Sequence, residues 1–398
     1  MTVEYKTVLS AFREHYEREP RLFRAPGRVN LIGEHTDYND GFVLPMAIER
    51  ETIVAAAPRE DRRVRAYALN LKEAAEFDLD APGERLRGTW LDYVEGVART
   101  LDESAGARIR GAELLIFSDV PLGAGLSSSA SLEISTGLAL ASLSETDVDR
   151  VRLALAGQQA EHEYVGTKCG IMDQFASAMA RRGHALLIDC RTLEATHIPF
   201  EMSDVLVAIC DSNVKHELST SEYNRRREEC EQGVEALRVV LPSVRALRDV
   251  SFAELERHAH LLPEVIRRRC LHVVTENART LDAARALGRG DLVEMGRLMK
   301  LSHASLRDDY EVSSPELDAL VEIASSLDGV LGARMTGGGF GGSTVSLVRR
   351  DALEEFEQVV SREYARRTGI STTILVSGAG EGAGEVRTPV RGGVEGLD

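Results

Sequence analysis

Residues 121–134 read PLGAGLSSSASLEI, and this stretch sets the order of strand, loop and helix from which the rest of the fold can be inferred. Residues 111–120, GAELLIFSDV, precede it as a short apolar run with the length of a buried strand. Pro121 and two glycines end that strand, and serines then open residues 128–144, whose apolar positions have helical spacing. The sequence therefore predicts a strand, a glycine loop and a helix in direct succession.

Strand and helix signals alternate irregularly on both sides of this unit. Short apolar runs between turn residues predict strands within residues 21–33, 41–58, 183–200, 205–213 and 371–380. Apolar residues at helical spacing predict helices over residues 151–166 and 354–369 and through most of residues 219–303. Because no regular strand–helix–strand repeat is present, we expect an α+β fold rather than a doubly wound sheet.

Length and composition limit the possible classes of protein. A chain of 398 residues is longer than one ordinary hydrophobic core supports, so two domains are expected. The net charge of −16 disfavours nucleic acid as a partner, although backbone N–H groups and a metal ion can still hold one nucleotide. No stretch of about 18 uninterrupted apolar residues is present, so no membrane span is expected.

The cysteines and the two ends of the chain give further expectations. The five cysteines are scattered without a Cys-x-x-Cys pair, and the N-terminus lacks a signal-peptide core. These features predict reduced thiols in a cytoplasmic protein, and no obligate protein partner is evident. Residues 386–398 are Gly-rich without an apolar period, which predicts a mobile tail.

The loop within residues 121–134 has the composition of a phosphate site. Flexible glycines let backbone N–H groups approach phosphate oxygens, and the helix N-terminus adds a partial positive charge. A serine hydroxyl at this place can also join a Mg²⁺ shell. A serine-capped helix after a tight turn is the structural alternative, but two glycines and three serines at one helix start favour phosphate binding.

A second polar cluster lies in residues 25–41, APGRVNLIGEHTDYNDG. Arg28, Glu34, His35 and Asp37 stand beside an apolar run, so several hydrogen-bonding groups converge on one loop. This composition suits recognition of a polyol ligand. A solvated turn between two strands is an equal alternative on composition alone.

Two more segments carry candidate residues. In residues 161–175, EHEYVGTKCGIMDQF, Glu161 would lie near the end of one helix and Asp173 near the start of the next. Such carboxylates could bind a metal or act as a base, although acidic residues at helix ends are more often simply solvated. Residues 337–342, GGGFGG, match G-x-G-x-x-G, but a strand and not a helix follows, which argues against a dinucleotide fingerprint. Five glycines around one Phe still predict that a ligand or another element approaches this backbone closely.

Together these segments resemble the galactokinases, a branch of the family that also contains homoserine, mevalonate and phosphomevalonate kinases. Residues 27–41 match the sugar signature, residues 121–133 the phosphate loop, and residues 335–342 the C-terminal glycine motif. GIMDQF at residues 170–175 matches the segment of the catalytic aspartate. The likeness runs in the expected order from about Ala25 to about Gly380, and it includes SEYNRRRE, VTENART and SHASLRDD.

The resemblance implies an ATP-dependent sugar kinase that transfers the γ-phosphoryl group of ATP to the C1 hydroxyl of α-D-galactose. It implies two α+β domains, which we place at residues 1–190 and 191–385, with the active site in the cleft between them. Galactose and ATP would be the small-molecule partners, and Mg²⁺ would be the metal cofactor.

The resemblance also implies roles for single residues on the sugar side. The residues expected to bind the sugar are Glu34, His35, Thr36 and Asp37 in the signature, with Tyr223 closing over the ring. Asp173 would lie beside the C1 hydroxyl as the proposed base, with Arg28 close to it. An arginine there would favour the ionised carboxylate and make it a weaker base, or it could act chiefly on the charge that develops during transfer.

On the nucleotide side, the resemblance implies that one loop holds the ATP phosphates, namely Gly123, Ala124, Gly125, Leu126, Ser127, Ser128 and Ser129. Ser129 and Glu161 would hold Mg²⁺. Trp90 and Tyr93, in GTWLDYVEG, are similar to an aromatic pair near the adenine, and Tyr67 is a further candidate for that pocket. Simple core packing is an equal alternative for Trp90.

Other functions are also compatible with parts of the sequence. A P-loop kinase needs G-x-x-x-x-G-K-[ST], and a protein kinase needs H-R-D-x-x-x-x-N and D-F-G, all of which are absent. Within the family, an N-acetylgalactosamine kinase is the nearest enzymatic alternative. A non-catalytic galactose- and ATP-sensing regulator is an alternative of another class, but by resemblance that type can lack residues of the SSSAS run, which is intact here at residues 127–131.

Overall fold

The computed structural model describes residues 3–104, 108–200, 203–215 and 219–386, and it confirms the predicted α+β fold. The α-helices of these residues are α1 (Val3–Tyr16), α2 (Trp90–Ser104), α3 (Ser128–Leu143), α4 (Arg150–Ala160), α5 (Met172–Met179), α6 (Ser219–Arg238), α7 (Phe252–His258), α8 (Glu264–Gly288), α9 (Leu292–Asp308), α10 (Pro315–Ser325) and α11 (Leu353–Thr368). The strands are β1 (Arg21–Asn30), β2 (Phe42–Val43), β3 (Pro45–Pro58), β4 (Arg63–Ala68), β5 (Glu73–Asp78), β6 (Ala112–Ser118), β7 (His184–Asp189), β8 (Glu194–Pro199), β9 (Val205–Lys215), β10 (Val330–Thr336), β11 (Gly341–Arg349), β12 (Thr373–Ser377) and β13 (Gly384–Val386).

A six-stranded sheet organises the N-terminal half, in the order β13-β1-β3-β6-β4-β5. Neighbouring strands are antiparallel except β4 and β6, which are parallel. Alternating side chains point to opposite faces, so Leu22 packs with α1 while Phe23 packs with α2 to α5. The sheet is therefore a middle layer with helices on both faces, and β6 leads through the glycine loop into α3.

A four-stranded antiparallel sheet, β10-β11-β9-β12, organises the C-terminal half. Cys210 faces α10 and α11, whereas its neighbour Ile209 faces α8 and α9. Leu31 and Leu126 from the N-terminal half belong to the same apolar cluster as Ile209. The two halves thus share a continuous core beneath the polar segments, and the small antiparallel sheet β2-β7-β8 lies beside it.

The strand β13 returns to the N-terminal sheet. It pairs with β1 through Leu22–Val386, Phe23–Glu385 and Arg24–Gly384, and Arg21 Nε lies 2.8 Å from Glu385 Oε1. The sequence analysis placed Val386 in the mobile tail, and this is wrong, because backbone pairing at a sheet edge needs no apolar period. The rest of the predicted tail, residues 387–398, lies outside the described residues.

The predicted elements around the chemical segments are confirmed. Glu161 follows the last residue of α4 and Asp173 is the second residue of α5, as the sequence predicts. The glycine turn at residues 337–340 connects β10 to β11 and not to a helix, in agreement with the rejection of a dinucleotide fingerprint. None of the helices in the described part of the chain is long and apolar enough to cross a membrane.

Candidate active site

The polar segments singled out from the sequence converge on one cleft of about 270 Å³ between the two halves. The lining comes from the end of β1 and the segment after it, the start of α3, the connection between α4 and α5 with the first turn of α5, helix α6 and the turn after β10. The predicted site residues on this lining are Arg28, Glu34, His35, Asp37, Ser129, Glu161, Asp173 and Tyr223. Residues far apart in the sequence therefore form a single site.

Asp173 lies on the first turn of α5, where Arg28 holds it with two parallel hydrogen bonds. Arg28 Nε donates to Oδ1 at 2.8 Å and Nη2 donates to Oδ2 at 2.7 Å. The hydroxyl of Ser127 donates to Oδ2 at 2.6 Å, and Arg28 Nη1 donates to the carbonyl oxygen of Gly125 at 2.6 Å. Bidentate pairs of this kind fix the plane of a carboxylate. The carboxylate, the arginine and the glycine loop thus form one unit.

The candidate phosphate loop, residues 123–129, connects β6 to α3 through three residues with positive φ. These are Gly123 (75°), Gly125 (73°) and Ser127 (58°). Glycine adopts such angles without steric cost, but a serine needs outside support, which the bond from Ser127 to Asp173 supplies. The side chains of Ala124 and Leu126 are buried in the core, so these two residues present only their backbone to a ligand.

The C-terminal glycine turn supports this loop from the other half. The hydroxyl of Ser343 donates to the carbonyl oxygen of Ala124 at 2.7 Å. A Cβ atom at Gly337 would lie 3.3 Å from the carbonyl oxygen of Gly125, so the two backbones are nearly in contact. The close approach predicted for GGGFGG is therefore an approach to the candidate phosphate loop.

Ser129 and Glu161 lie together on the wall of the cleft. Burial raises the pKa of Glu161, and a hydrogen bond from Ser129 opposes this shift. Hydroxyl and carboxylate oxygens are ligands that Mg²⁺ prefers, and two such ligands leave positions for phosphate oxygens. Within the described ranges, no group of three or more His, Cys, Asp or Glu side chains could hold a metal ion. A Mg²⁺ ion held by these two residues would need further ligands from a bound nucleotide.

Asp37 begins a one-turn 3-10 helix and faces the backbone of Gly170. A Cβ atom at residue 170 would come within 1.9 Å of Asp37 Oδ2, so any other residue there would displace this carboxylate. The backbone N–H of Tyr38 donates to Oδ1 at 3.0 Å. Burial raises the pKa of Asp37 to about 6, and the carboxylate of Asp173 adds to this shift.

Glu34 joins the sugar segment to the C-terminal half. Its Oε2 forms an ion pair with Arg334, which is fully buried. Its Oε1 accepts from the backbone N–H of Gly337 at 2.9 Å and from the hydroxyl of Thr336 at 3.2 Å. Burial raises the pKa of Glu34, and the charge of Arg334 opposes this. The Arg334–Glu34 ion pair holds this part of the sugar signature on the cleft wall.

His35 and Tyr223 form the aromatic side of the cleft. Their ring centroids are 5.4 Å apart, and a Cβ atom at Gly338 would lie 3.4 Å from the ring of Tyr223. Because Tyr223 belongs to α6 and His35 to the segment after β1, the two rings face each other from different halves of the molecule.

Thr36 and Tyr67, which were expected to bind ligands, do not reach the cleft. Thr36 is fully buried, with its hydroxyl oxygen 2.8 Å and 2.7 Å from the carbonyl oxygens of Gly33 and Phe42, so it shapes the loop. Tyr67 stacks on His15 of α1 with ring centroids 4.4 Å apart. Strand alternation directs the neighbouring Ala66 toward α2 to α5 and Tyr67 toward the opposite face, which corrects its assignment to the adenine pocket.

Trp90 and Tyr93 lie on the first turn of α2, on the side of the sheet that bears α3. The indole N–H of Trp90 donates to Glu73 Oε2 at 3.0 Å, and the ring packs against the N-terminal core, as the core-packing alternative expects. Burial raises the pKa of Tyr93, and Glu161 and Glu133 add to this shift, so Tyr93 lies near the cleft carboxylates. Contact of this pair with adenine stays a prediction.

A polar face of α8 supports the sugar segment from behind, and the sequence analysis assigned it no role. His272 Nε2 donates to the carbonyl oxygen of Glu34 at 3.1 Å, and Glu276 accepts from the backbone N–H of Gly33 at 3.0 Å. Asn277 Oδ1 accepts from the backbone N–H of Phe42 at 2.9 Å. His272 and Glu276 lie one turn apart on the same helix face, and Asn277 follows Glu276 directly. Glu276 and Asn277 stand in VTENART, but only the folded chain shows that these polar side chains are buried.

The sequence analysis also assigned no role to Glu133. It lies one turn after Ser129 on α3, is fully buried and accepts from Gln174 Nε2 at 3.0 Å. Burial raises its pKa well above the usual range. Because Gln174 follows Asp173, this bond ties the helix that carries Ser129 to the helix that carries Asp173.

Comparison with known proteins agrees with this architecture. Residues 10–58 match the galactokinase galactose-binding signature, residues 92–181 the GHMP kinases N terminal domain and residues 283–366 the GHMP kinases C terminal model. The structure of a mevalonate kinase from Methanococcus jannaschii has a TM-score of 0.63 at 18% identity, over 91% of this chain and 98% of that one. At this identity the likeness shows a common fold and no more. The matches to the two GHMP kinase domain models define the chain as a GHMP kinase.

More similar relatives show which family within the GHMP kinases the chain belongs to. Galactokinases of Chloroflexus aggregans and Chloroflexus aurantiacus are 51% and 50% identical to the chain, each over 95% of this chain and 97% of the relative. The crystal structure of Lactococcus lactis galactokinase complexed with galactose has a TM-score of 0.93 at 38% identity, over 96% of this chain and 100% of that one. The chain belongs to the galactokinase family.

Proposed function

We propose that the cleft binds galactose beside ATP and that the chain transfers the γ-phosphoryl group of ATP to the C1 hydroxyl of α-D-galactose, giving galactose 1-phosphate and ADP. The observation that carries this proposal is the Arg28–Asp173 pair, because its carboxylate stands where the sugar segment meets the phosphate loop. Phosphoryl transfer depends mainly on positioning and on charge stabilisation, and a preorganised junction of two binding loops provides both.

On the sugar side, we assign hydroxyl recognition to Asp37 and Glu34, whose carboxylates are acceptors on the cleft wall. Tyr223, whose ring packs on that of His35, would close this side of the sugar site. A buried acceptor that loses its donor costs on the order of 1–3 kcal/mol. Sugars that cannot donate at these positions are therefore rejected.

For the chemical step, Asp173 accepts the hydrogen bond of the C1 hydroxyl and takes its proton as the hydroxyl oxygen attacks. Arg28 and Ser127 hold the carboxylate in the plane that this requires. Arg28 also contacts the carbonyl oxygen of Gly125 in the phosphate loop. Its guanidinium is thus placed to stabilise negative charge on the transferring group.

On the nucleotide side, we assign the phosphates to residues 123–129, whose backbone N–H groups lead into the N-terminus of α3. Ser129 and Glu161 would hold Mg²⁺, which when bound offsets the charge of the β- and γ-phosphates. We assign the adenine to the neighbourhood of Trp90 and Tyr93. All five cysteines are free, as a reducing compartment would keep them, and this supports a cytoplasmic location.

A coupled assay of ADP release tests the proposal with galactose, N-acetylgalactosamine, glucose and mevalonate as acceptors. We expect release with galactose far above that with the other three, and we expect it to stop in excess chelator and return with added Mg²⁺. A preference for N-acetylgalactosamine would assign the chain to the amino sugar. ATP and galactose binding without any ADP release would indicate a sensor and not an enzyme.

A further inference from the structure

Behind the sugar segment, four side chains are joined in series by hydrogen bonds. Cys230 Sγ lies 3.2 Å from Tyr310 Oη, and Tyr310 Oη lies 2.8 Å from Tyr38 Oη. Tyr38 Oη lies 2.8 Å from His35 Nδ1, and His35 Nε2 lies 3.2 Å from the carbonyl oxygen of Gly338. The series therefore ends at the glycine turn that follows β10.

The carbonyl oxygen of Gly338 sets the direction of these bonds, because it can only accept. His35 Nε2 must then donate to it. Burial lowers the pKa of His35 to about 3, so the ring is neutral near pH 7 and Nδ1 is left as an acceptor. Tyr38 therefore donates to His35 Nδ1, and the oxygen of Tyr38 is free to accept from the hydroxyl of Tyr310.

The series connects elements that lie far apart in the sequence. His35 and Tyr38 belong to the N-terminal sugar segment, Tyr310 follows α9, and Cys230 lies on α6. The ring of His35 is buried between the rings of Tyr223 and Tyr310, with centroid distances of 5.4 Å and 4.8 Å. Tyr310 also packs on His272 of α8 at 4.5 Å.

His35 needs such support because its backbone is in an unfavourable region. Its φ is 62°, which a residue with a side chain adopts only when its surroundings hold it there. Both ring nitrogens already have partners within the protein. The ring thus acts as a fixed wall of the sugar site, and its orientation depends on what bonds to Nδ1.

We propose that Tyr38 and Tyr310 are positioning residues for the sugar, because their hydroxyls act in series to fix the orientation of the His35 ring on the cleft wall. Neither residue lines the cleft itself. The kinetic consequence rests on the proposed function, since it presumes that the cleft binds galactose. The hydrogen-bond direction does not depend on that function and can be measured separately.

The ¹⁵N NMR spectrum of the imidazole groups measures this direction, with His35 assigned from the signal lost in His35→Gln. In the wild type we expect a protonated Nε2 and an unprotonated, hydrogen-bonded Nδ1. In Tyr38→Phe the Nδ1 signal should move toward that of a free imine nitrogen, and in Tyr310→Phe it should move less in the same direction. A protonated Nδ1 in the wild type, or an unmoved Nδ1 signal in both variants, would overturn the proposal.

Galactose kinetics test the consequence for the sugar site. We expect Tyr38→Phe to raise the KM for galactose by about fivefold or more, with kcat and the KM for ATP nearly unchanged. Because the two hydroxyls act in series, the Tyr38→Phe/Tyr310→Phe double variant should resemble Tyr38→Phe alone. Additive effects on KM would show two independent packing roles and overturn the series.

A matched control removes a buried tyrosine hydroxyl elsewhere. Tyr364 is fully buried and donates to the carbonyl oxygen of Ser212 at 2.8 Å in the C-terminal core. Tyr364→Phe should lower stability and leave the galactose KM and the His35 signals unchanged. A rise in KM equal to that of Tyr38→Phe would attribute the effect to general destabilisation and refute the proposal. A wild type with the expected His35 spectrum but no kinase activity would refute the proposed function alone.

Discussion

Three carboxyl groups on the cleft wall are held in an environment that disfavours their charge. Burial raises the pKa of Asp37 to about 6, and it raises the pKa of Glu34 and of Glu161 as well. A carboxylate removed from water destabilises a fold unless a cation or hydrogen-bond donors compensate. These three carboxyl groups therefore lower the stability of the ligand-free chain, as is common at active sites.

The Asp37→Asn variant measures this effect. The carboxyl of Asp37 has a pKa of about 6 in the folded chain and of about 4 in an unfolded chain, so the folded state binds the proton more tightly. Its contribution to stability falls as the pH rises from about 4 to about 6 and stays low above that range. We expect the Asn variant to be more stable than the wild type at pH 8, by on the order of 1–3 kcal/mol, with little gain at pH 4. Urea unfolding at both pH values measures this, and a less stable variant at pH 8 would contradict it.

The Asp173→Asn variant tests the chemical role of the central carboxylate. Asparagine keeps the shape but is a far weaker proton acceptor, and it cannot accept both bonds from Arg28. We expect kcat to fall by about 10²–10⁴ for loss of a general base, with the fold retained. Ser127→Ala is the control, because it removes one bond to the same carboxylate and keeps its charge. If Asp173→Asn turns over near the wild-type rate at saturating galactose, Asp173 only positions the hydroxyl.

At the scale of elements, α8 acts as a rigid support for a loop in the other half of the sequence. Asn277 is its clearest test, because its Oδ1 accepts from Phe42 and a Cβ atom at Gly41 would lie 2.2 Å from that oxygen. Asn277→Leu leaves the N–H of Phe42 unpaired, so we expect a loss of about 1–3 kcal/mol in stability and a higher galactose KM. Thr275→Val is the control, since Thr275 donates only along α8, to Leu271 and His272. An equal rise of KM in both variants would contradict the support role.

The elements could be predicted from the sequence because their signals are local. Apolar spacing gave α3, α4 and α11, and turn residues between apolar runs gave the strands around the cleft. The faces of these elements could not be predicted in the same way. The alternation of side chains along a strand shows that Tyr67 and Ala66 point to opposite faces of the sheet. Only the position of α1 in the folded chain shows which of these faces borders the cleft. For the same reason Thr36 was misjudged and α8 was assigned no role, since burial behind a loop depends on the tertiary structure.

At the scale of the whole molecule, the last described strand closes on the first. The three β13 pairings and the Arg21–Glu385 ion pair connect the end of the chain to β1. Truncation after Ala383 removes this strand, and we expect the melting temperature to fall by a few degrees. Truncation after Val386 is the control, because it keeps β13 whole. Equal melting temperatures for the two truncated chains would show that β13 adds nothing to stability.

The halves also meet at the cleft itself, and the site exists only where they meet. Glu34 from the N-terminal half is held by Arg334 and Gly337 from the C-terminal half, and Ser343 supports the loop at Ala124. The division predicted between residues 190 and 191 therefore runs through the site, whose residues come from both sides of it. Under the proposed function, a bound sugar would contact both halves, through the sugar segment and through Tyr223.

The assignment of this cleft depends most on which hydroxyl group of the sugar receives the phosphate. ³¹P NMR of the wild-type chain with galactose, ATP and Mg²⁺ measures it directly. We expect one new phosphomonoester signal that is split by the single anomeric proton and grows in equal proportion to ADP. A phosphate coupled to the two C6 protons, or consumption of ATP without any sugar phosphate, would contradict the placement of the C1 hydroxyl beside Asp173.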